Sequence, residues 1–182
     1  VSGGKATLVR SDVGVGEHEV TVTYNGDGKY NPSSGSATFE VAKQDGNDVV
    51  KYVAAGILDK IRDITIFLNP TDSSYNRFGT GTAPTKVNWS NVAGSELMHI
   101  NDKEKQPRAE LRSPDALSNP YLAYALLIYA GLYGIEKKLA LPEEMDSDTA
   151  YLPKSRKEAI KFAETSDFIK SILPKAVVDK YL

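Results

Sequence analysis

The hydrophobic pattern changes its period once along this chain, near residues 44–48, and this change requires a fold with two unlike parts. Before it, polar and apolar residues alternate with a period of two in Glu19–Tyr24 and Ser36–Val41, as is typical of half-buried strands. After it, apolar residues recur every three to four positions from Val49 to Ile61, which is typical of an amphipathic helix. The sequence therefore predicts a small β region followed by a helix-rich region.

Local signals refine this division. Lys5–Val9 is a plausible third strand, and Asn25–Gly28 contains the glycines and short polar residues that form sharp turns. Residues 44–48 are polar with a central glycine and are predicted to be a linker between a β part, 1–43, and a second part, 49–182. Asp48 is placed to cap the first helix.

Composition excludes several classes of protein. The chain has 182 residues, a formal net charge of -2 and no cysteine, which argues against a nucleic-acid partner, disulfides and thiolate metal sites. The longest apolar run, Tyr121–Ile135, is shorter than the roughly 18 residues that a membrane helix needs, so no membrane partner is expected. Because the chain begins with Val1 rather than Met, we expect a processed form or a fragment.

The C-terminal third carries helix signals. Asn119 is predicted to cap a helix with Pro120 at its first position. Its predicted apolar face contains Leu122, Ala125, Leu126, Tyr129, Leu132 and Ile135. A second face contains Ala159, Phe162, Phe168, Ile169 and Ile172, and Pro174 is expected to interrupt it.

The N-terminal part resembles the second half of a bacterial or archaeal Ig-like repeat of surface proteins. The residues that carry the resemblance are Gly16–Tyr30, Asn31–Ser34 and Phe39. An Ig-like sandwich needs about seven strands, so three strands cannot enclose a core of their own.

Residues 48–182 resemble the C-terminal part of the catalytic domain of bacterial and archaeal glutamine synthetases. The motifs that carry the resemblance occur in the family's order: Phe67–Thr71, Ser74–Arg77, Ala83–Pro84, Trp89–Ser90, Arg108–Asp115, Asn119–Ala123 and Ala130–Glu136. No single motif is specific, but together they are strong.

The resemblance implies a chemistry. The family makes glutamine from glutamate, ammonia and ATP with the divalent metals Mg²⁺ or Mn²⁺. By matching motifs, Arg77 and Arg112 would bind the substrate glutamate, Arg108 a nucleotide phosphate, and Glu110 a metal; no residue is assigned a catalytic role. Arg108, Glu110 and Arg112 would share one face of a strand. Without the resemblance, charges that alternate in this way usually mark a solvated face.

Three positions depart from the family. Thr82 stands where a flap glutamate precedes Ala83–Pro84, and Gly94 and His99 replace two arginines that bind substrate and the phosphoryl group. His99 is either a pH-dependent substitute or a partly buried polar residue. The family's other metal ligands and most of its nucleotide pocket lie before the region that corresponds to residue 48. We therefore predict no ligase activity and no bound metal or ATP for this chain alone.

The expected fold class is α+β: a short antiparallel β region, half Ig-like, followed by a truncated glutamine-synthetase-like region. That region should have antiparallel strands near 85–90, 96–101 and 108–113 and end in three or four helices. Three hypotheses remain: an inactive synthetase fragment, a non-catalytic surface or scaffold module, and an artificial join of two fragments. The first implies a cytoplasmic protein that could form homo-oligomers, and the Ig-like part implies the cell surface.

Overall fold

The protein is described by a computed structural model covering residues 13–41, 46–101, 107–145 and 148–182. The chain forms two compact units, Val1–Asp45 and Gly46–Leu182. The predicted strand Lys5–Val9 lies outside the described residues, as do residues 44 and 45 of the predicted linker. Residues 46–48 of that linker belong to the first helix of the second unit.

The first unit contains one antiparallel hairpin. Strand β1 (Gly16–Tyr24) pairs with β2 (Ser33–Val41), so both alternating segments predicted to be strands lie within strands. Gly26 has a φ of 83°, and the Asp27 carboxylate accepts hydrogen bonds from the amides of Lys29 and Tyr30. The predicted turn is thus held by the expected glycine and Asx chemistry. Val22 remains 62% exposed.

The second unit is built on helix α1 (Gly46–Leu68). Ala54, Ile61 and Ile64 on this helix are fully buried. The helix begins two residues before Asp48, so the predicted cap was wrong: Asp48 lies in the first turn, where its charge complements the helix dipole. A short helix α2 (Asp72–Asn76) follows, and a reciprocal capping box between Thr71 and Ser74 stabilises its N-terminus.

A three-stranded sheet follows: β3 (Trp89–Ser90), β4 (Met98–Asn101) and β5 (Arg108–Leu111). β4 and β5 are antiparallel as predicted, but β3 is parallel to β4. Asn88 is the reason, since its side-chain oxygen accepts from the Leu97 amide and its carbonyl from the Met98 amide. The antiparallel partner of this segment is instead the distant residue Tyr151, which bridges to Lys86.

The described residues end in four helices, in agreement with the prediction: α3 (Pro120–Lys137), α4 (Arg156–Thr165), α5 (Asp167–Ile172) and α6 (Lys175–Val178). Asn119 caps α3 through hydrogen bonds from the amides of Tyr121 and Leu122. Ser166 separates α4 from α5 and caps the latter, and Pro174 precedes α6.

The predicted apolar face of α3 was partly wrong. Tyr129 and Leu132 are exposed, and the buried positions are Ala123, Leu126, Ala130, Gly131 and Gly134. The buried glycine Gly134 lies where α3 packs closely on α1, because an added Cβ there would meet the Tyr52 carbonyl oxygen at 2.0 Å. No helix in the described part of the chain is both long and apolar enough to cross a membrane.

Candidate functional site

A cavity of about 770 Å³ in the second unit brings together three of the four predicted site residues. It is lined by Arg77, Glu110 and Arg112, together with the small residues Thr80, Gly81, Thr82, Ala83, Ala93 and Gly94. Two of the positions that depart from the family pattern, Thr82 and Gly94, are in its wall. The fourth predicted residue, Arg108, is at the other end of β5 and lines a separate, mainly apolar cavity of about 440 Å³.

The loop that forms one wall is tightly organised. The Thr80 hydroxyl and amide both donate to the Arg77 carbonyl, and the Ala83 amide donates to the Thr80 carbonyl. Gly79 and Gly81 have φ values of 81° and 57°, a conformation that L side chains rarely adopt. The loop therefore presents hydroxyl groups and backbone at the cavity rather than large side chains.

Arg112 makes three polar contacts at the cavity. Its Nε donates to Glu110 Oε1 at 3.1 Å, and its Nη1 lies 2.9 Å from Glu96 Oε1 and donates to the Gly94 carbonyl. Its side chain is only 18% exposed. Three oxygen atoms from two carboxylates and one carbonyl thus fix the orientation of the guanidinium.

Glu96 was not predicted to be a site residue. It is 1% exposed, and besides Arg112 its Oε1 lies 3.2 Å from His99 Nδ1. Burying a carboxylate costs free energy unless nearby cations compensate its charge, so its charged neighbours stabilise Glu96 in this position. The available signal was a lone acid just before Leu97-Met98, both of which are buried. His99 is partly buried, with 15% of its side chain exposed.

Arg77 lines the cavity but is also bound to the protein. Its Nη2 donates to the Ser113 carbonyl at 2.5 Å and to Asn69 Oδ1 at 3.2 Å, and its Nη1 donates to the Arg112 carbonyl at 3.5 Å. It therefore joins the end of α1 to the segment that follows β5.

Two groups near Arg77 in the sequence or in space, Asp115 and Tyr75, have shifted pKa values. A hydrogen bond from the Leu117 amide, with help from Ser74 and from the positive charge of Arg77, lowers the pKa of Asp115. Burial raises the pKa of the Tyr75 hydroxyl above its ordinary value, which keeps it protonated.

The residues present do not fit a divalent metal on their own. Glu110 is 59% exposed and ion-paired with Arg112, whose positive charge opposes a bound cation. Residues 13–41, 46–101, 107–145 and 148–182 contain no group of three or more acidic or histidine side chains that could hold a metal ion. Mg²⁺ and Mn²⁺ prefer several oxygen ligands, so further ligands would have to come from outside these residues.

Comparison with known proteins identifies the family. The family model described as glutamine synthetase, catalytic domain, matches residues 32–182. This match begins within the segment that resembles an Ig-like repeat, and the Ig-like resemblance stays a prediction.

Curated relatives include a gamma-glutamylethanolamide synthetase of Streptomyces coelicolor, 35% identical over 74% of this chain and 30% of its own length. A glutamine synthetase of Methanosarcina mazei is 36% identical over 72% of this chain and 33% of its own length. One from Sulfolobus acidocaldarius is 28% identical over 94% of this chain and 39% of its own. The chain thus spans about a third of the length of these relatives.

A solved structure of a GmaS/ADP complex has the same fold, with a TM-score of 0.64 and 20% identity over 81% of this chain and 40% of that one. The family match covers residues 32–182, which is most of the sequence. The chain belongs to the glutamine synthetase catalytic-domain family.

Proposed function

We propose that this chain carries the glutamate-binding part of a glutamine-synthetase-type ligase site and has no ligase turnover by itself. The observation that carries the proposal is the cavity in which Arg112, Arg77 and Glu110 meet. It is large enough for an amino acid, and the family is shown over most of the chain.

Arg112 is the proposed anchor for a glutamate carboxylate. Its contacts with Glu96, Glu110 and Gly94 use Nε and Nη1, and Nη2 takes part in none of them. A guanidinium held in this way loses little conformational entropy when a carboxylate binds to its remaining N–H groups. Arg77 supports the same wall through its carbonyl contacts rather than as a second free cation.

The absence of turnover follows from the charges at the cavity. Phosphoryl and acyl transfer need cations aimed at the charge that develops in the transition state. Gly94 contributes no charge, His99 faces a buried carboxylate, and two acids already balance Arg112. These features support a site that binds substrate without stabilising its reaction.

Calorimetric titration with L-glutamate tests the binding part of the proposal. Binding to the 182-residue chain should weaken at least tenfold in Arg112→Gln, which removes the anchor and loses about one charged hydrogen-bonded contact. Arg108→Gln is the matched control, because Arg108 lines the other cavity, and it should retain the affinity. Equal losses in both variants would contradict the assignment.

Phosphate release with ATP, glutamate, ammonium and Mn²⁺ tests the second part. The chain alone should release no more phosphate than a blank, and titration with ATP and Mn²⁺ should give no binding heat. Sustained turnover would overturn the proposal. A chain that binds neither glutamate nor ATP would favour the non-catalytic scaffold, for which the separate N-terminal hairpin unit is the supporting observation.

The family resemblance also leads us to propose a homo-oligomer. Large apolar side chains on α3, including Tyr121, Tyr124 and Ile128, are exposed and could be covered by association. Size-exclusion chromatography with light scattering distinguishes an oligomer from a monomer.

A further inference from the structure

Arg112 has more acidic partners than it can neutralise. It is paired with both Glu96 and Glu110. This arginine therefore faces two carboxylates. A ligand that brings only negative charge would add to this excess of acid, whereas a ligand with an ammonium group would reduce it.

Glu96 makes the larger contribution to this excess of negative charge beside Arg112. Its Oε1 lies 2.9 Å from Arg112 Nη1. Because its side chain is only 1% exposed, solvent screens its charge poorly. Glu110 is 59% exposed and its effect on a ligand is more strongly screened. The nearest histidine, His99, compensates Glu96 only when it is protonated.

We infer that Glu96 is a specificity-determining residue that makes the Arg112 cavity select zwitterionic amino acids over ligands carrying only negative charge. It does so through Arg112, as a positioning residue and internal counter-ion, without itself lining the cavity. The inference rests on the proposed glutamate site and adds the class of ligand that the site accepts.

Two ligands of the same length isolate the ammonium group. Glutarate has the two carboxylates of glutamate but no amino group. Calorimetric titration should show that the wild-type chain binds L-glutamate more tightly than glutarate. In Glu96→Gln, which keeps an oxygen acceptor for Arg112 and removes the charge, the ratio of the two affinities should fall by roughly tenfold, mainly through tighter glutarate binding. Glu96→Asp keeps the charge and should restore the preference.

The control is Glu136→Gln, which makes the same change of charge at a site that is 75% exposed on α3, and it should leave the ratio unchanged. Circular dichroism checks that every variant is folded. If Glu96→Gln does not fold, the wild-type chain still decides: equal affinity for glutarate and glutamate overturns the inference.

The outcomes also separate this inference from the proposed function. Glutamate binding with a ratio that Glu96→Gln does not change overturns the role of Glu96 alone. Failure of the wild-type chain to bind either ligand, with glutarate binding gained in Glu96→Gln, overturns the glutamate site and supports neutralisation of Arg112 by Glu96. If no variant binds either ligand, both are wrong.

Discussion

Gly56 on α1 and Gly134 on α3 lie backbone to backbone. A Cβ atom added to Gly134 would lie 2.0 Å from the Tyr52 carbonyl oxygen and 2.8 Å from the Gly56 Cα. Gly134→Ala must therefore separate the two helices. We expect a loss of about 3 kcal/mol or more in the free energy of unfolding, measured by urea denaturation.

Gly131→Ala is the matched control, one turn earlier on the same helix. Its added Cβ would meet the Val53 side chain at 3.0 Å rather than a backbone atom. A small shift of Val53 accommodates it, and the higher helix propensity of alanine offsets up to about 1 kcal/mol. A loss as large as that of Gly134→Ala would mean that the helices do not cross at Gly56.

Asn119 supplies the cap of α3. Its Oδ1 accepts from the amides of Tyr121 at 3.0 Å and Leu122 at 3.3 Å. Asn119→Ala should lower the unfolding free energy by about 1 kcal/mol, whereas Asn119→Asp should retain it because the carboxylate still accepts. An unchanged unfolding free energy in Asn119→Ala, measured by urea denaturation, would indicate that the cap does not form.

Asp115 should make stability depend on pH. Because its pKa is lower in the folded state than in the unfolded chain, it adds stability above the unfolded pKa of about 3.9 and loses it as the pH falls through the folded pKa. The difference in unfolding free energy between wild type and Asp115→Asn should be largest near neutral pH and shrink below about pH 4. Urea titrations between these values measure it, and a constant difference would refute the shift.

Arg77 is predicted to be a structural clamp. Lysine cannot span Ser113, Arg112 and Asn69 with one ammonium group, and the Ser113 and Asn69 residues left behind are fully buried. Arg77→Lys should therefore cost about 1–3 kcal/mol of unfolding free energy. Unchanged stability with lost glutamate affinity would instead assign Arg77 to the ligand.

Much of the fold could be predicted because its signals are local. The alternation in β1, the glycine turn after it, and the Asn119-Pro120 start of α3 depend on neighbouring residues only. The parallel pairing of β3 could not be predicted, since it depends on Asn88 binding backbone nine residues ahead, while the antiparallel bridge of Lys86 goes to the distant Tyr151. The buried face of α3 was missed because close packing at Gly56 favours small residues over the usual large apolar stripe.

The site was predictable only in part. Motif matching named Arg77, Glu110 and Arg112, and these line one cavity. It did not find Glu96, because a buried acid is recognisable only when its partners in space are known. Arg108 lies at the start of β5 and lines the separate cavity together with α1 residues such as Val49 and Val53, an arrangement in space that a motif does not encode.

Residues 85–90 are fastened to the segment before α4 by contacts between residues that are distant along the chain. Trp89 donates to the Pro142 carbonyl and Thr149 to the Val87 carbonyl, contacts that join residues 53 and 62 positions apart. Closing such loops costs entropy before any contact repays it. During synthesis, β3 can pair with β4 as soon as both have emerged, but residues 85–87 gain their contacts only after the segment up to Leu152 has emerged. The residues that line the cavity all lie between 77 and 112, so the wall behind it is fastened by a segment that is synthesised after the cavity residues themselves.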